Sequence, residues 1–428
     1  MSDIDDDGWL ESSFGALCLR IVNGGTPDTG NAAYWNGETP WITGADFTVN
    51  GVGEFRRFVS DIGILGSATS VVKAGNLIVV TRTGVGKIAI APCDIAISQD
   101  ITGVYIDTEK VETFFVYYLL SRELEQIKKL NQGTSINGII RSDLEKHVVR
   151  FPAAKSAQIK IASILSSIDT AIEKTEALIA KYQQIKAGLM HDLFTRGVLP
   201  NGQLRPPREQ APELYQETAI GWIPRDWRVI RLEEIADVLR GKFTHRPRND
   251  PAYYGGLHPF IQTGDVSASN GGIIKNYSQT LSEIGATVSQ SFPAGTIAIT
   301  IAANIADTGI LGIPMFFPDS IVGAILNDAA NCRFIELCIR RSKHKLDAMA
   351  PQSAQKNINL KDLRPLQIPY PFRVEQDLIA KRIDLVQAKI DIEKKARDKL
   401  NLKKLGLMQD LLTGKVPVKV DEADATDG

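Results

Sequence analysis

The stretch Gly188-Leu189-Met190-His191-Asp192-Leu193-Phe194-Thr195 returns 218 residues later as Gly406-Leu407-Met408-Gln409-Asp410-Leu411-Leu412-Thr413, identical at six of eight positions. A fixed offset between similar segments marks duplicated architecture. The same offset carries Gln158 and Ile161-Ala162 onto Gln376 and Ile379-Ala380, and Trp9 onto Trp227. Between these anchors the match loosens, although Thr43-Gly44 corresponds to Thr263-Gly264 and Asp143-Leu144 to Asp362-Leu363. Each half therefore reads as a variable globular part followed by a repeated tail.

The tails read as long helices. Ile161, Leu165, Ile168, Ile172, Thr175, Ile179, Tyr182, Lys186, Leu189 and Leu193 alternate spacings of four and three, the seam of a coiled coil. The second copy runs Ile379, Ile383, Val386, Ile390, Glu393, Arg397, Leu400, Lys404, Leu407 and Leu411 in the same phase. Pro152 and Pro371 stand where each helix would begin, Gly197 and Gly414 where each would stop. About 43 helical residues at 1.5 Å rise would span roughly 65 Å. Such a helix cannot bury its seam alone, and its partner of choice is its own repeat; the alternative is two amphipathic helices, each packed on its own domain. Polar seam residues Lys186, Glu393, Arg397 and Lys404 would then set register or face another subunit. Gly188 and Gly406, each costing about 1 kcal/mol in a helix interior, suggest a close approach of two backbones, a local hinge being the other possibility.

The expected organisation is α+β. A first domain covers 1–152, a long helix 153–196, a proline-rich linker 197–226, a second domain 227–370, a second long helix 371–414 and an acidic tail 415–428. Within the globular parts, Asn76–Thr81, Lys87–Ala91 and Gly295–Ile301 read as strands, with helices over Val111–Leu130 and Cys332–Ala348.

Composition narrows the function. Hydrophobic content of 43% and the absence of an apolar run long enough to span a bilayer imply a soluble protein. The acidic start, Asp3 and Asp5 to Asp7, lacks the features of a signal peptide, which makes the cytoplasm the expected location. Cys18, Cys93, Cys332 and Cys338 show no metal-type spacing, and His147, His191, His245, His258 and His344 are scattered, so no metal site is expected. A net charge of −1 argues against wrapping nucleic acid by bulk charge alone, though a subunit of a larger assembly can leave phosphate neutralisation to its partners.

Catalytic motifs fail on inspection. Thr81-Arg82-Thr83-Gly84-Val85-Gly86-Lys87-Ile88 resembles a phosphate loop but has Thr81 and Ile88 where that loop needs glycine and Ser or Thr, so a strand-to-strand turn is the better reading. Asp46 and Asp265 follow matching Thr-Gly turns with no second acid beside them, which indicates turn capping. No Asn-Pro-Pro-Tyr or Asp-Pro-Pro-Tyr grips a base for methyl transfer.

What remains is recognition. Asn and Gln can pair with adenine, and Arg or Lys with guanine, in the major groove. Corresponding polar loops offer this chemistry: Asn131–Gly138, with Gln132, Thr134, Ser135 and Asn137, and Gln352–Asn359, with Gln352, Ser353, Gln355, Lys356 and Asn357. Such residues are also ordinary turn formers; their recurrence in both halves favours a role. Arg56, Arg57, Arg82 and Lys87, with Arg240, Lys242, His245, Arg246 and Arg248, are candidate phosphate contacts, or simply a solvated surface.

Taken together, the chain resembles the specificity subunits of type I restriction-modification systems over nearly its whole length. The marks are the Gly-Leu-Met-x-Asp-Leu-x-Thr endings at Gly188 and Gly406, Gly221-Trp222-Ile223-Pro224 leading to Trp227 and Leu232-Glu233-Glu234-Ile235-Ala236, and Gly24-Gly25-Thr26-Pro27 with Trp41-Ile42. The resemblance implies two target-recognition domains reading the halves of an asymmetric bipartite DNA site, and two antiparallel helices acting as a ruler between them. It implies docking of two methylation subunits that bind S-adenosylmethionine and methylate adenine N6. ATP- and Mg-dependent cleavage would belong to restriction subunits. This chain would then be non-catalytic, with no cofactor of its own. The rival readings are a fused enzyme with an unfamiliar motif, and a coiled-coil adaptor or unpaired specificity-like protein that binds methylation subunits without directing them.

Overall fold

The computed structural model describes residues 8–48, 51–82, 86–130, 139, 141–245, 247–302, 304–327, 329–349 and 357–419, with the side chains of 125–130 left aside. Two compact units divide the chain, Met1–Ile179 with Ile392–Gly428, and Ala180–Asp391, so that each long helix is shared between them.

In the first unit the run Leu77-Ile78-Val79-Val80 is wholly buried. It lies inside an antiparallel sheet ordered Cys18–Asn23, Ile101–Ile106, Leu77–Val80, Ile88–Ile90. Alternation along the strand sends Leu77 and Val79 into one core with Phe115 and Leu119 of the Thr113–Leu130 helix, and Ile78 and Val80 into another with Ile42, Ile95 and Ile97. A second sheet is ordered Phe58–Val59, Thr39–Ile42, Ile95–Ile97, Ser70–Val72, its two middle strands parallel. A ribbon of Trp9–Ser13 against Val148–Pro152 leads into the first long helix, Lys155–Thr195.

The second unit repeats this plan. Its main sheet runs Ala236–Arg240, Ile321–Leu326, Ile297–Thr300, Thr308–Leu311, with Ile273–Ile274 added at the edge. The smaller sheet runs Gln279–Leu281, Tyr254–Phe260, Met315–Phe316, Ser291–Phe292, again with a parallel pair in the middle. A ribbon of Arg228–Arg231 and Gln367–Tyr370 leads to the second long helix, Arg373–Leu411. The helix expected over Cys332–Ala348 is two, Cys332–Arg341 and Lys343–Met349. Ser342 separates them, and its hydroxyl donates to Cys338 O at 3.0 Å, an alternative to regular helix bonding.

In both units the helices pair antiparallel along the expected seam. In the first, Ile161 and Leu165 share a core with Leu407 and Leu411, and Lys404 reaches Asp169 at 2.6 Å. In the second, Leu189 and Leu193 pack with Ile379 and Ile383, and Lys186 donates to Gln387 at 2.6 Å. Ile168, Ile172, Ile179 and Ile390 are buried, and Val386 and Leu400 half-buried. Each buried aliphatic side chain contributes about 1.5–3 kcal/mol. The polar seam residues Lys186 and Lys404 thus find partners on the opposing helix. Gly188 and Gly406 correct one expectation: no neighbour stands where a Cβ would project, so they mark no close backbone approach.

A buried glutamine locks the start of each long helix. Gln158 donates to Pro152 O at 2.8 Å and accepts from Glu112 N at 2.8 Å; Gln376 donates to Pro371 O at 2.9 Å and accepts from Asn331 N at 2.8 Å. Gly197 and Gly414 end the helices with φ of 66° and 76°, a conformation natural to glycine.

Candidate nucleic-acid interface

Among the described residues each unit carries a hairpin that contacts two other elements. In the first, Leu77–Val80 pairs antiparallel with Ile88–Ile90, so the glycine-rich segment connects two adjacent strands; its residues 83–85 lie outside the described residues. In the second, Ile297–Thr300 turns through Asn304 and Ala306 into Thr308–Leu311. The turns are closed alike: Gly86 N donates to Val80 O, and Ala306 N to Thr300 O.

The described residues that follow the nominated polar loops lie beside these hairpins. Ile139, which follows the first loop, donates through its N–H to Thr81 O at 2.8 Å, and Ile358 does the same to Ile301 O at 3.0 Å. Both isoleucines are buried, 3% and 2% exposed, which pins the loop ends beside the hairpins. Asn357 is exposed and bridges to Ala302. Gln132, Thr134, Ser135, Asn137, Gln352, Ser353, Gln355, Lys356 and Arg246 lie outside the described residues.

The third element is the Thr-Gly turn. Thr43 N donates to Asp46 Oδ2 and Gln262 N to Asp265 Oδ2, each at 2.8 Å, so both aspartates cap their turns. Burial pushes the Asp46 carboxyl up, but hydrogen bonds from Thr43 and Arg56 outweigh it and hold the group below its ordinary range. The contact between turn and hairpin differs in charge between the units. Lys87 Nζ donates to Gly44 O at 3.1 Å and Phe47 O at 3.3 Å. In its place the second unit has Asp307, which accepts from Ser267 Oγ at 2.6 Å on the Thr263–Ser269 helix and pairs with Lys343.

Most of the nominated cations are already engaged. Arg56 pairs with Asp46, Arg57 lies 4.4 Å over Trp41, and Arg248 grips Asp319 with two bonds of 2.8 Å. Arg240 donates to Asp319 O at 2.5 Å, and His245 stacks on Tyr253. Arg82 is exposed at the hairpin tip, and its guanidinium has no partner among the described residues. Asn304, which sequence reading did not nominate, occupies the equivalent tip, exposed, its amide donating to Ser267 Oγ at 3.2 Å.

A two-fold arrangement of this kind has relatives. The model of the type I restriction modification DNA specificity domain matches residues 7–184 and 224–402, one copy on each half. The chain belongs to that family. The MjaVIII specificity subunit of the type I restriction enzyme from Methanocaldococcus jannaschii is 26% identical over 326 residues, 72% of this chain and 71% of the relative. The EcoR124I/EcoR124II specificity subunit from Escherichia coli is 25% identical over 158 residues, 35% of this chain and 39% of the relative. The crystal structure of a type I S subunit from M. genitalium matches with a TM-score of 0.60 at 18% identity, covering 95% of this chain and 96% of that one. A second structure, from work on type I system assembly, matches at 0.58 with 16% identity and covers 97% of this chain and 100% of that one. These structural likenesses establish a shared fold. Among the described residues, no helix of this specificity-family chain is long and apolar enough to cross a membrane.

Sequence reading also missed Arg205 and Glu375. Glu375 sits at the start of the second long helix and accepts from Arg205 at 2.6 Å, from Val198 N at 2.7 Å and from Trp227 Nε1 at 3.0 Å. Arg205 bonds Asp226 as well, at 2.6 Å. The two are 170 positions apart and Glu375 has Ala157 as its counterpart, so no repeat signal marks them.

Proposed function

We propose that this chain is the sequence-reading, non-catalytic subunit of a type I restriction-modification complex, and that each unit reads one half of a bipartite DNA target. The reading rests on one observation above the others: the same arrangement of hairpin, buried isoleucine bonded to it and capped Thr-Gly turn occurs twice with different polar side chains around it. Similar scaffolds with unlike tips suit an asymmetric site. Arg82 has the donors for a guanine edge, Asn304 the donor and acceptor for an adenine edge. Methyl transfer from S-adenosylmethionine to adenine N6 is assigned to two methylation subunits, and ATP- and Mg-dependent cleavage to restriction subunits. Basic surface on those partners would offset the net charge of −1.

The test is to co-express the chain with the methylation subunit encoded beside it in a host lacking the modification, and to map N6-methyladenine. A new bipartite motif that disappears without this chain is the expected result. No new motif, despite a stable complex and an active methylase, would favour an adaptor that binds methylation subunits without directing them. Arg82→Ala is expected to relax one position of one half-site, and Asn304→Ala one position of the other, each by about 1–3 kcal/mol of discrimination.

A further inference from the structure

The helix Cys332–Arg341 ends in an arginine whose counterpart in the first unit is neutralised. Buried residues set the correspondence: Phe115, Val116, Leu119 and Leu120 take the places of Phe334, Ile335, Cys338 and Ile339. The N–H groups of Glu112 and Asn331, each bonded to its unit's glutamine, fix the register, and Arg122 then matches Arg341. Arg122 donates to Glu123 at 2.6 Å, whereas Ser342 stands where that acid would be. Arg341 lies over the ring of Phe194, 5.4 Å from its centroid, and among the described residues no oxygen accepts from it. Arg341 is exposed at the surface, and local desolvation by the groups packed around it pushes its pKa below the usual arginine value.

Arg341 lines a cleft of about 590 Å³ at the end of the first long helix. A second guanidinium, Arg208, stacks 4.6 Å over Trp222, and its contact with Glu209 is a loose 3.9 Å. A ring against the face of a guanidinium leaves its edge donors for a planar pair of oxygens. The apolar lining includes Ile220, Ile223 and Pro369, while Asp192 and Glu209 also border the cleft. Arg196 lines the cleft as well, and Asp192 lies 3.9 Å from Arg196 as Glu209 does from Arg208, so among the described lining residues Arg341 is the guanidinium without an acid beside it, a surplus of one charge that a single carboxylate matches.

We infer that this cleft docks a segment of a partner protein that presents one carboxylate beside an apolar or aromatic side chain, with Arg341 as the carboxylate's anchor. The incoming acid supplies what Glu123 supplies to Arg122, and the neighbouring side chain covers the apolar lining. The inference does not depend on DNA reading.

Calorimetric titration of the full chain with acetyl-Phe-Glu-amide, acetyl-Phe-Gln-amide and a short DNA duplex tests it. The acidic peptide is expected to bind about tenfold more tightly than its amide analogue. Arg341→Ala should erase that preference and Arg341→Lys keep part of it, with melting temperature unchanged. Equal binding of the two peptides, binding of neither, or displacement of the acidic peptide by the duplex would overturn the inference. Should Arg341→Ala fail to fold, Arg208→Ala is read instead: several-fold weaker binding of the acidic peptide supports the cleft, and unchanged binding overturns it.

Discussion

At the foot of each unit a ribbon tryptophan packs on the glycine that ends a long helix, yet the two feet are held by different chemistry. Trp9 meets Gly414 and carries Arg150 over its ring at 5.3 Å. Trp227 meets Gly197, and its indole N–H enters a buried polar clasp with Glu375 and Arg205. A Cβ at Gly197 would stand 2.3 Å from Glu375 Oε1 and 2.6 Å from the Trp227 ring, so only glycine fits. Duplication has kept the aromatic-on-glycine packing, whose partners lie within the repeated elements. Among the described residues the first unit has no such clasp: the clasp's arginine comes from the segment after Gly197, and the sequence at the same offset after Gly414 carries no arginine.

The comparison breaks most sharply at Glu375. Glu375→Ala leaves Arg205, whose side chain is 6% exposed, with Asp226 as its remaining acid, and strips Val198 N and Trp227 Nε1 of their acceptor. Losing one partner of a buried pair costs about 3–5 kcal/mol. Hydrogen exchange should accelerate over 196–227 and leave the ribbon around Trp9 unchanged. Equal acceleration in both places would show that the feet are energetically one structure, contrary to the local clasp.

The buried glutamines sharpen the comparison from the other side, since here the two units agree. Gln158→Ala and Gln376→Ala each orphan one half-buried N–H and one buried carbonyl, at about 2–3 kcal/mol in total. Urea denaturation should give the same loss for both within about 1 kcal/mol. A clear inequality would mean that one joint is strained despite matching geometry.

Much of this was legible in the sequence, and the reasons for the gaps are physical. The seam from Ile161 to Leu193 and from Ile379 to Leu411 follows from period alone, because a helix must bury one stripe and these were the apolar positions at its spacing. The strands around Leu77–Val80 and Ile297–Thr300 announced themselves as aliphatic runs. The smaller sheets did not: their parallel pairs join Thr39–Ile42 to Ile95–Ile97 and Tyr254–Phe260 to Met315–Phe316, contacts between distant segments without local pattern. The basic residues were visible as charges, but whether Arg56 or Arg248 was free depended on Asp46 and Asp319, and only the fold brings these pairs together. Lys87 and Asp307 share one position with opposite charge, a substitution that hides equivalence from any comparison of residue types.

The smallest expected effect concerns the hairpin tips, where Gly86 and Ala306 hold the same place. Gly86 has φ of 100° and Ala306 φ of 58°, so one unit meets the left-handed requirement with the residue suited to it and the other with a strained alanine. Ala306 is held there by its N–H bond to Thr300 O at 2.8 Å and by Thr300 Oγ, which accepts from Asp307 N at 3.0 Å and donates to Asn304 O. Gly86→Ala should destabilise the first unit by about 1–2 kcal/mol, the cost of a Cβ in left-handed backbone. Ala306→Gly removes the same clash but frees the unfolded chain, so its net gain should stay below about 1 kcal/mol. Thermal melting of the two variants would check both signs. If Ala306→Gly also blurs the half-site read from the Asn304 tip in a methylation map, the alanine's strain serves to hold that tip in one conformation; if specificity is untouched, the Thr300 bonds are sufficient and the alanine is a tolerated departure from its glycine counterpart.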